Sequence, residues 1–216
     1  MDRIEPTITQ LYGSGFGVLG QPNFTTKGSN LTQNGFNGSY SVFIDSFGNA
    51  WVADYVNARV LMFAPPFSNG MNASLVLGQS SFTTNVSNTT QNGLSNPISV
   101  FIDSSGNAWV ADYGRVLMYE PPFSNGMNAS LVLGQPNFTL GTYATTQNGL
   151  YYPTSVFVDS SGNVWVNDYA NSRVLMYVPP FSNGMDAGSS TNSLYSSVVY
   201  PRKNIFYNPK AGVVKI

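Results

Sequence analysis

The chain has 216 residues, of which 42% are hydrophobic and only 9% are charged, and its formal net charge is −1. That length and composition allow a sizeable core, whereas nine basic against ten acidic residues argue against a nucleic-acid partner, which must be neutralised by many cations. There is no cysteine and no histidine, which excludes disulfides and metal sites built from thiolate or imidazole.

The N-terminal residues carry no recognisable targeting signal. MDRIEPTITQ does not resemble a signal peptide, and no apolar run reaches membrane-spanning length, so we expect no membrane insertion. A polar but weakly charged composition is typical of exported proteins. We therefore expect an extracellular or cell-surface protein, in its mature form without a signal peptide. Residues 7–21 are predicted to hold two terminal strands, TITQLYG and GVLGQ.

Nearly the same sequence then occurs three times. Alignment on Trp51, Trp109 and Trp165 gives steps of 58 and 56 residues, and a two-residue deletion between Tyr113 and Arg115 accounts for the difference. The repeated units span about residues 41–79, 99–135 and 155–200. The chain is therefore a repeat protein.

Each unit is predicted to form four short strands, which in the middle copy read SVFID, NAWVADY, RVLMYE and ASLVLGQ. SSGN between the first two strands predicts a hairpin turn in which Gly106 takes a left-handed conformation. Pro121-Pro122 ends the third strand, and Asn125-Gly126 turns the chain back. VFI, WVA and VLM are apolar without alternation, which indicates that both faces of each sheet are covered.

Repeated four-stranded sheets with both faces covered are typical of a β-propeller. The string PTSVFVDSSGNVWVNDYANSRVLMY at 153–177, nearly matched from Tyr40 to Phe63, resembles the NHL repeat of β-propeller proteins. The resemblance covers about residues 17–185 and implies an all-β fold of four-stranded antiparallel blades in a single domain. The middle copy departs from the repeat by losing its Asn, which predicts a tighter connection there.

The two ends of the chain carry further strand-like segments. IFYN and GVVKI, within residues 204–216, echo the first two strands of a unit. We predict that they join the strands of residues 7–21 in a fourth, composite blade. The alternative is an array of three blades completed by oligomerisation, in which each subunit lends strands to the next.

Long polar loops of 19 residues join one unit to the next, as in Pro22–Tyr40, and they emerge on the same face as the turns between second and third strands. Tyrosines and asparagines of these turns are predicted to line the rim of this face and to contact a partner. These residues are Tyr55, Asn57, Tyr113, Tyr169 and Asn171. The alternative is that each tyrosine packs between blades.

Repeated aspartates and arginines are predicted to be structural turn pairs, in which a carboxylate accepts backbone N–H groups and is held by the arginine. The pairs are Asp54–Arg59, Asp112–Arg115 and Asp168–Arg173. The alternative is a ring of carboxylates holding a calcium ion, and hence a hydrolase or lyase that uses a metal on axial aspartates. Because the aspartates recur in every unit and the chain has only two glutamates, we expect no metal, no cofactor and no enzymatic activity.

Eight Asn-x-Ser/Thr sequons are possible N-glycosylation sites. They are Asn23, Asn30, Asn37, Asn72, Asn85, Asn88, Asn128 and Asn137. Six of them lie in the long loops, where glycans would shield that face. We expect a non-catalytic extracellular interaction or structural module, whose partner is a protein, a glycan or further copies of the chain.

The repeated aromatic residues of the first two strands are predicted to form the core between blades. These residues are Trp51, Trp109 and Trp165, together with Phe43, Phe101 and Phe157. Their neighbours are apolar in every unit, so no ligand-binding role is needed to explain them.

Overall fold

The computed structural model describes residues 17–188, which form three antiparallel sheets and one 3-10 turn at Tyr169–Asn171. The first sheet contains β1 (Ser39–Ile44), β2 (Ala50–Asp54), β3 (Arg59–Phe63) and β4 (Leu75–Leu77). The second contains β5 (Pro97–Ile102), β6 (Ala108–Asp112), β7 (Arg115–Tyr119) and β8 (Leu131–Leu133). The third contains β9 (Pro153–Val158), β10 (Val164–Asp168) and β11 (Arg173–Tyr177).

Each sheet is one blade, and the three sheets are numbered here blades 1 to 3. Strands of a blade pair in chain order, and the first strands of successive blades contact each other, β1 with β5 and β5 with β9. This is the blade arrangement of a β-propeller, so the predicted all-β fold of four-stranded antiparallel blades is confirmed. Within the described residues blade 3 has three strands rather than four.

The hairpin turn between the first two strands of a blade is built around one aspartate. In blade 2, Asp103 accepts hydrogen bonds from the backbone N–H groups of Ser105 and Asn107, both at 2.9 Å, and from Trp109 Nε1 at 2.8 Å. Gly106 has φ +86°, which a side chain would disfavour. The same bonds recur in blades 1 and 3, so one short motif closes each hairpin and orients its tryptophan.

The core lies between blades. Trp51 and Trp109 are each 1% exposed and each meets a phenylalanine of the next blade edge to face, Phe123 at 5.1 Å and Phe181 at 5.5 Å. Trp165 is 39% exposed, so the prediction that all three tryptophans are buried is wrong for the third copy. The reason is that no further blade covers blade 3 within the described residues.

The repeated phenylalanines run along the inner strands. Phe43 contacts Phe101 at 4.8 Å, and Phe101 contacts Phe157 at 5.0 Å, so the three rings connect the blades as predicted. Phe157 is nevertheless 51% exposed, since it too stands at the end of the array. The part of the chain that the structure describes has no helix long and apolar enough to cross a membrane.

Only part of the predicted terminal strands can be compared with the structure. Residues 7–16 and 204–216 lie outside the described residues, and with them the predicted composite blade. Residues 17–21 are described, and Val18 bonds through both its N–H and its C=O to the Asn69-Gly70 turn of blade 1. Residues 17–21 therefore contact blade 1 in the same way that β4 of blade 1 contacts blade 2.

Candidate functional site

The long loops and the short turns between second and third strands meet on one face of the array, called here the loop face. In blade 1, the Tyr55 N–H donates to the Gly38 carbonyl at 3.2 Å, and the Val56 N–H donates to the Asn37 carbonyl at 3.0 Å. In blade 3, the Ala170 N–H donates to a carbonyl of the preceding long loop in the same way. The short turns thus hold the ends of the long loops in place.

The aspartates at the ends of the second strands fix these turns. Asp54 accepts the Asn37 N–H through Oδ1 at 2.7 Å, and it accepts Arg59 Nε through Oδ2, also at 2.7 Å. Both charged side chains are fully buried. Arg59 also donates to the carbonyls of Thr32 and Gly35, so the pair ties the preceding loop to the blade. Its role here is structural.

The pair recurs in the other two blades, at 3.1 Å for Asp112–Arg115 and 2.7 Å for Asp168–Arg173. Burial raises the pKa of Asp112, although Arg115 and two backbone N–H groups oppose that shift. Within residues 17–188, no three acidic side chains come together as metal ligands. The axial-aspartate alternative therefore has no ligand cluster in this part of the chain.

The two asparagines predicted at the rim belong to these turns as well. Asn57 is 1% exposed and donates through Nδ2 to Asp54 and to the Asn30 carbonyl, so the prediction that it contacts a partner is wrong. Asn171 is half-buried, and its Nδ2 donates hydrogen bonds to Asp168 and to a loop carbonyl. A short amide side chain that completes a turn has no donor left for a partner.

Six tyrosines of the loop face touch one another and are called here the tyrosine cluster. They are Tyr40, Tyr55, Tyr113, Tyr143, Tyr151 and Tyr152. The ring centroids lie 4.6 Å apart for Tyr40–Tyr55, 4.8 Å for Tyr113–Tyr143, 4.3 Å for Tyr143–Tyr151 and 6.4 Å for Tyr143–Tyr152. The hydroxyls of Tyr55 and Tyr152, 3.0 Å apart, link the turn between β2 and β3 of blade 1 to the loop before blade 3.

Two members of the cluster sit on unusual backbone. Tyr113 has φ +49° and Tyr152 has φ +57°, a left-handed conformation that costs a side-chain-bearing residue about 1–3 kcal/mol. Tyr113 belongs to the two-residue connection of blade 2, which is tighter than in the other blades, as the deletion predicts. Its neighbour Gly114 lies against the ring of Tyr143, and a Cβ added there would be in ordinary van der Waals contact with that ring, at 3.4 Å.

The cluster is accessible and uncharged. Tyr40 is 62% exposed, Tyr151 39% and Tyr143 37%. The hydrogen bond with Tyr152, followed by burial, raises the pKa of Tyr55 to about 12. Burial and the neighbouring tyrosines raise the pKa of Tyr143 as well. The hydroxyls of Tyr55 and Tyr143 therefore stay protonated near neutral pH. The surface of the cluster offers flat rings with hydrogen-bonding groups at their edges.

The sequence pointed to this face but not to most of the cluster. Of the three predicted tyrosines, Tyr55 and Tyr113 belong to the cluster, whereas Tyr169 is 65% exposed and lies outside it. The four members that repeat spacing missed are Tyr40, Tyr143, Tyr151 and Tyr152. A signal was present in the loop before blade 3, because three of these four tyrosines lie within residues 141–152.

The sequon asparagines are at the surface. Six are exposed, and Asn37 and Asn88 are half-buried. The side-chain oxygens of Asn23 and Asn137 accept hydrogen bonds from the threonine of their own sequon, at 2.8 and 2.9 Å. All eight side chains are thus on or near the surface, as glycosylation would require.

A cleft opens between blades on the face opposite the loop face. Between blades 1 and 2 it has a volume of about 410 Å³ and is lined by Trp51, Met62 and Phe123 among others. A smaller cleft of about 260 Å³ recurs between blades 2 and 3. Because the same tryptophans and phenylalanines hold the blades together, these clefts are part of the packing between blades.

The exposed third hairpin gives a pH prediction. Hydrogen bonds from Trp165 Nε1 and Asn163 lower the pKa of Asp159 from 3.8 to about 2. A lowered pKa means that the stabilisation of the turn is fully present above pH 3.8 and is lost as the pH falls through about 2. We expect the indole N–H resonance of Trp165 to titrate with a midpoint near pH 2 in NMR spectra. A midpoint near 3.8 would contradict the hydrogen bond.

Comparison with known proteins identifies no family. No family model matches the chain, and no curated protein matches it. The chain is similar to the streptogramin B lyase structure, at 12% identity over 66% of this chain and 41% of that chain, with a TM-score of 0.38.

Two further solved structures are similar at the same level. PorZ, a bacterial surface component of the type-IX secretion system of Porphyromonas gingivalis, is 12% identical over 73% of this chain and 21% of that one, with a TM-score of 0.44. The extracellular domain of a hybrid two-component system from B. thetaiotaomicron is 14% identical over 65% and 21%, with a TM-score of 0.34. The chain spans less than half the length of each of these three structures.

Proposed function

We propose that the chain is a non-catalytic, extracellular interaction module of the NHL type that binds a neutral glycan through the tyrosine cluster. The observation that carries the proposal is the cluster itself, six contacting tyrosines on the face where the long loops converge. Aromatic rings offer apolar faces to the C–H groups of a sugar ring, and their hydroxyls exchange hydrogen bonds with sugar hydroxyls.

The electrostatics of the surface support a neutral ligand. Tyrosine side chains carry no charge near neutral pH, and the turn aspartates next to the cluster are paired with buried arginines. A nucleic acid or an acidic polysaccharide needs exposed cations, of which this chain has few. A protein partner is the other candidate, because tyrosines are also enriched at protein interfaces.

Two features support the non-catalytic and extracellular parts of the proposal. In the described part of the chain, the turn aspartates use their oxygens to accept hydrogen bonds from backbone N–H groups and arginines, which argues against their acting as a paired acid and base in hydrolysis. Weak charge, abundant Asn, Ser and Thr, and eight sequons are consistent with an exported protein.

Binding to defined sugars tests the proposal. Unglycosylated chain is applied to a panel of neutral oligosaccharides, and the best binder is titrated by calorimetry against wild type and a Tyr40→Ala/Tyr143→Ala/Tyr151→Ala variant. We expect the variant to bind at least about tenfold more weakly, since truncating one well-placed interface aromatic costs over 1 kcal/mol. Tyr169→Ala is the matched control, because Tyr169 is exposed but lies outside the cluster. No binding to any oligosaccharide, or an equal loss in the control, would refute the proposal.

A further inference from the structure

Blade 3 ends in an uncovered strand edge among the described residues. In blades 1 and 2 the fourth strand pairs with the third, placing Leu77 opposite Val60 and Leu133 opposite Val116. Those two valines are 1% and 0% exposed. The equivalent residue of β11, Val174, is 61% exposed. The edge of blade 3 therefore presents an apolar side chain that the repeat elsewhere buries.

The other end of the array has the complementary feature. Residues 17–21 match the fourth strand of the later units, and Val18 bonds to the turn of blade 1 at 2.9 and 3.1 Å. Val76 bonds to the Asn125-Gly126 turn of blade 2 in the same way, at 3.0 and 3.2 Å. Residues 17–21 are therefore held where the fourth strand of a preceding blade belongs, and Leu19 takes the position of Leu77.

One hydrogen bond of the repeat has no counterpart at the blade 1 end of the array, within the described residues. Gln79 Nε2 donates to the carbonyl of Ala58, in the turn of its own blade, at 2.8 Å, and blade 2 repeats this bond. Gln21, the equivalent residue, keeps its bonds to Gly28 in its own loop but meets no such turn carbonyl within the described residues. The equivalent acceptor on blade 3 is the carbonyl of Ser172.

A second hydrogen bond of the repeat has no counterpart in blade 3, within the described residues. Arg59 donates through Nη1 to the carbonyl of Phe82, just after the fourth strand, and blade 2 repeats this bond. Arg173 donates through Nη1 to Thr145 instead, and its side chain is 27% exposed where the other two are fully buried. The residue equivalent to Phe82 in front of blade 1 is Phe24.

The uncovered tryptophan points to the same pairing. Trp51 and Trp109 are each covered by the phenylalanine of a Pro-Pro-Phe segment in the following blade. The sequence contains three such segments, and neither residues 1–16 nor residues 189–216 contain one. The segment that covers no tryptophan of its own chain is the one ending in Phe67, on blade 1.

We propose that this chain associates head to tail with a second copy, so that residues 17–24 of one copy complete blade 3 of its neighbour. In this arrangement Leu19 of one copy lies opposite Val174 of the neighbour, and Phe67 covers the neighbour's Trp165. The Gln21 side chain donates to the carbonyl of the neighbour's Ser172. The carbonyl of Phe24 accepts a hydrogen bond from the neighbour's Arg173. It is the packing that already joins blades 1, 2 and 3, continued across two molecules. Such a heterologous contact builds a ring or a filament by strand donation.

The sequence that follows Gly188 differs from the fourth strands of blades 1 and 2. The Gly188 N–H donates to the Met176 carbonyl, as the residue just before the fourth strand, Ser74 or Ser130, does in the other blades. The next residues in the sequence are Ser189, Ser190 and Thr191, where blades 1 and 2 bury Leu, Val and Leu. Hydroxyls buried without partners are unfavourable, so Val18 and Leu19 of a second copy fit the position better.

Sedimentation velocity of the 216-residue chain over a concentration series tests the proposal. We expect wild type to form dimers and longer species with increasing concentration. Val174→Asp is expected to weaken association at least about tenfold, since it places a charge in the proposed apolar contact. Val86→Asp is the matched control, because Val86 is 62% exposed and lies in the long loop between blades 1 and 2, away from both ends of the array. Wild type that stays monomeric at all concentrations would overturn the proposal.

Mixing two variants distinguishes head-to-tail association from any other kind. Leu19→Asp is expected to disable the strand that is donated, residues 17–24. Val174→Asp is expected to disable the edge of blade 3 that receives it. Each should be monomeric alone, and their mixture should form only one-to-one dimers, because one good end of each kind remains. Gln21→Ala serves as a second, milder donor variant should Leu19→Asp fail to fold by circular dichroism. A mixture that stays monomeric, while wild type associates, would overturn the head-to-tail geometry.

Discussion

Replacing Trp109 by alanine is expected to lower the free energy of unfolding by about 3–5 kcal/mol, the usual cost of truncating a fully buried large aromatic residue. Trp109 is 1% exposed, packs edge to face on Phe181 and donates to Asp103. The substitution leaves a cavity between blades 2 and 3, and the hairpin between β5 and β6 loses its hydrogen bond from the tryptophan. Against a total stability of about 5–15 kcal/mol, the change is a large fraction. Urea unfolding followed by far-UV circular dichroism measures it.

Trp165→Ala is the matched control for this prediction. Trp165 occupies the same strand position and makes the same hydrogen bond to its hairpin aspartate, but it is 39% exposed. Measured at a protein concentration low enough to keep the chain monomeric, its truncation should cost clearly less. A loss below about 1 kcal/mol for Trp109→Ala, the range of ordinary surface substitutions, would contradict the proposed core, as would equal losses for the two variants.

Replacing Arg115 by methionine is expected to destabilise the chain by about 3–5 kcal/mol, because it leaves the buried carboxylate of Asp112 without its partner. The arginine and the aspartate are both fully buried, and the arginine also donates to the carbonyls of Thr90 and Gly93. Methionine retains much of the side-chain volume, so the loss measures the polar contacts. The same urea titration measures the change.

Arg173→Met provides the comparison for the buried pair. Arg173 makes equivalent bonds to Asp168 and to loop carbonyls, but its side chain is 27% exposed, so water can replace part of what is lost. We expect a smaller loss than for Arg115→Met. Equal effects, or no effect of Arg115→Met, would show that burial of the pair does not control its contribution.

The local features of a blade could be predicted from the sequence because they depend on residues close together in the chain. Asp103, Gly106 and Trp109 lie within one hairpin, and their spacing predicts both the turn and the strands. The pairing of Asp112 with Arg115 depends on a similarly short segment. The fourth strands are shorter than the predicted seven residues of ASLVLGQ. Only Leu75–Leu77 in blade 1 and Leu131–Leu133 in blade 2 pair with the third strand.

Features that depend on packing between blades could not be predicted in the same way. Trp109 and Trp165 stand in nearly identical sequence, yet one is buried and the other is exposed, because burial depends on whether a further blade covers the tryptophan. The tyrosine cluster joins Tyr40 and Tyr55 of blade 1 to Tyr143 and Tyr152 before blade 3. Repeat spacing carries no information on which loops of different units meet.

Amide hydrogen exchange with and without the best-binding neutral oligosaccharide tests the central claim, non-catalytic binding at the tyrosine cluster. We predict added protection in peptides covering the cluster, around residues 38–42, 55–58, 112–114 and 141–152, with the oligosaccharide recovered intact. Protection confined to the opposite face, around the clefts lined by Trp51 and Trp109, would contradict the proposed site. Cleavage of the oligosaccharide by the purified chain would contradict the proposed non-catalytic function.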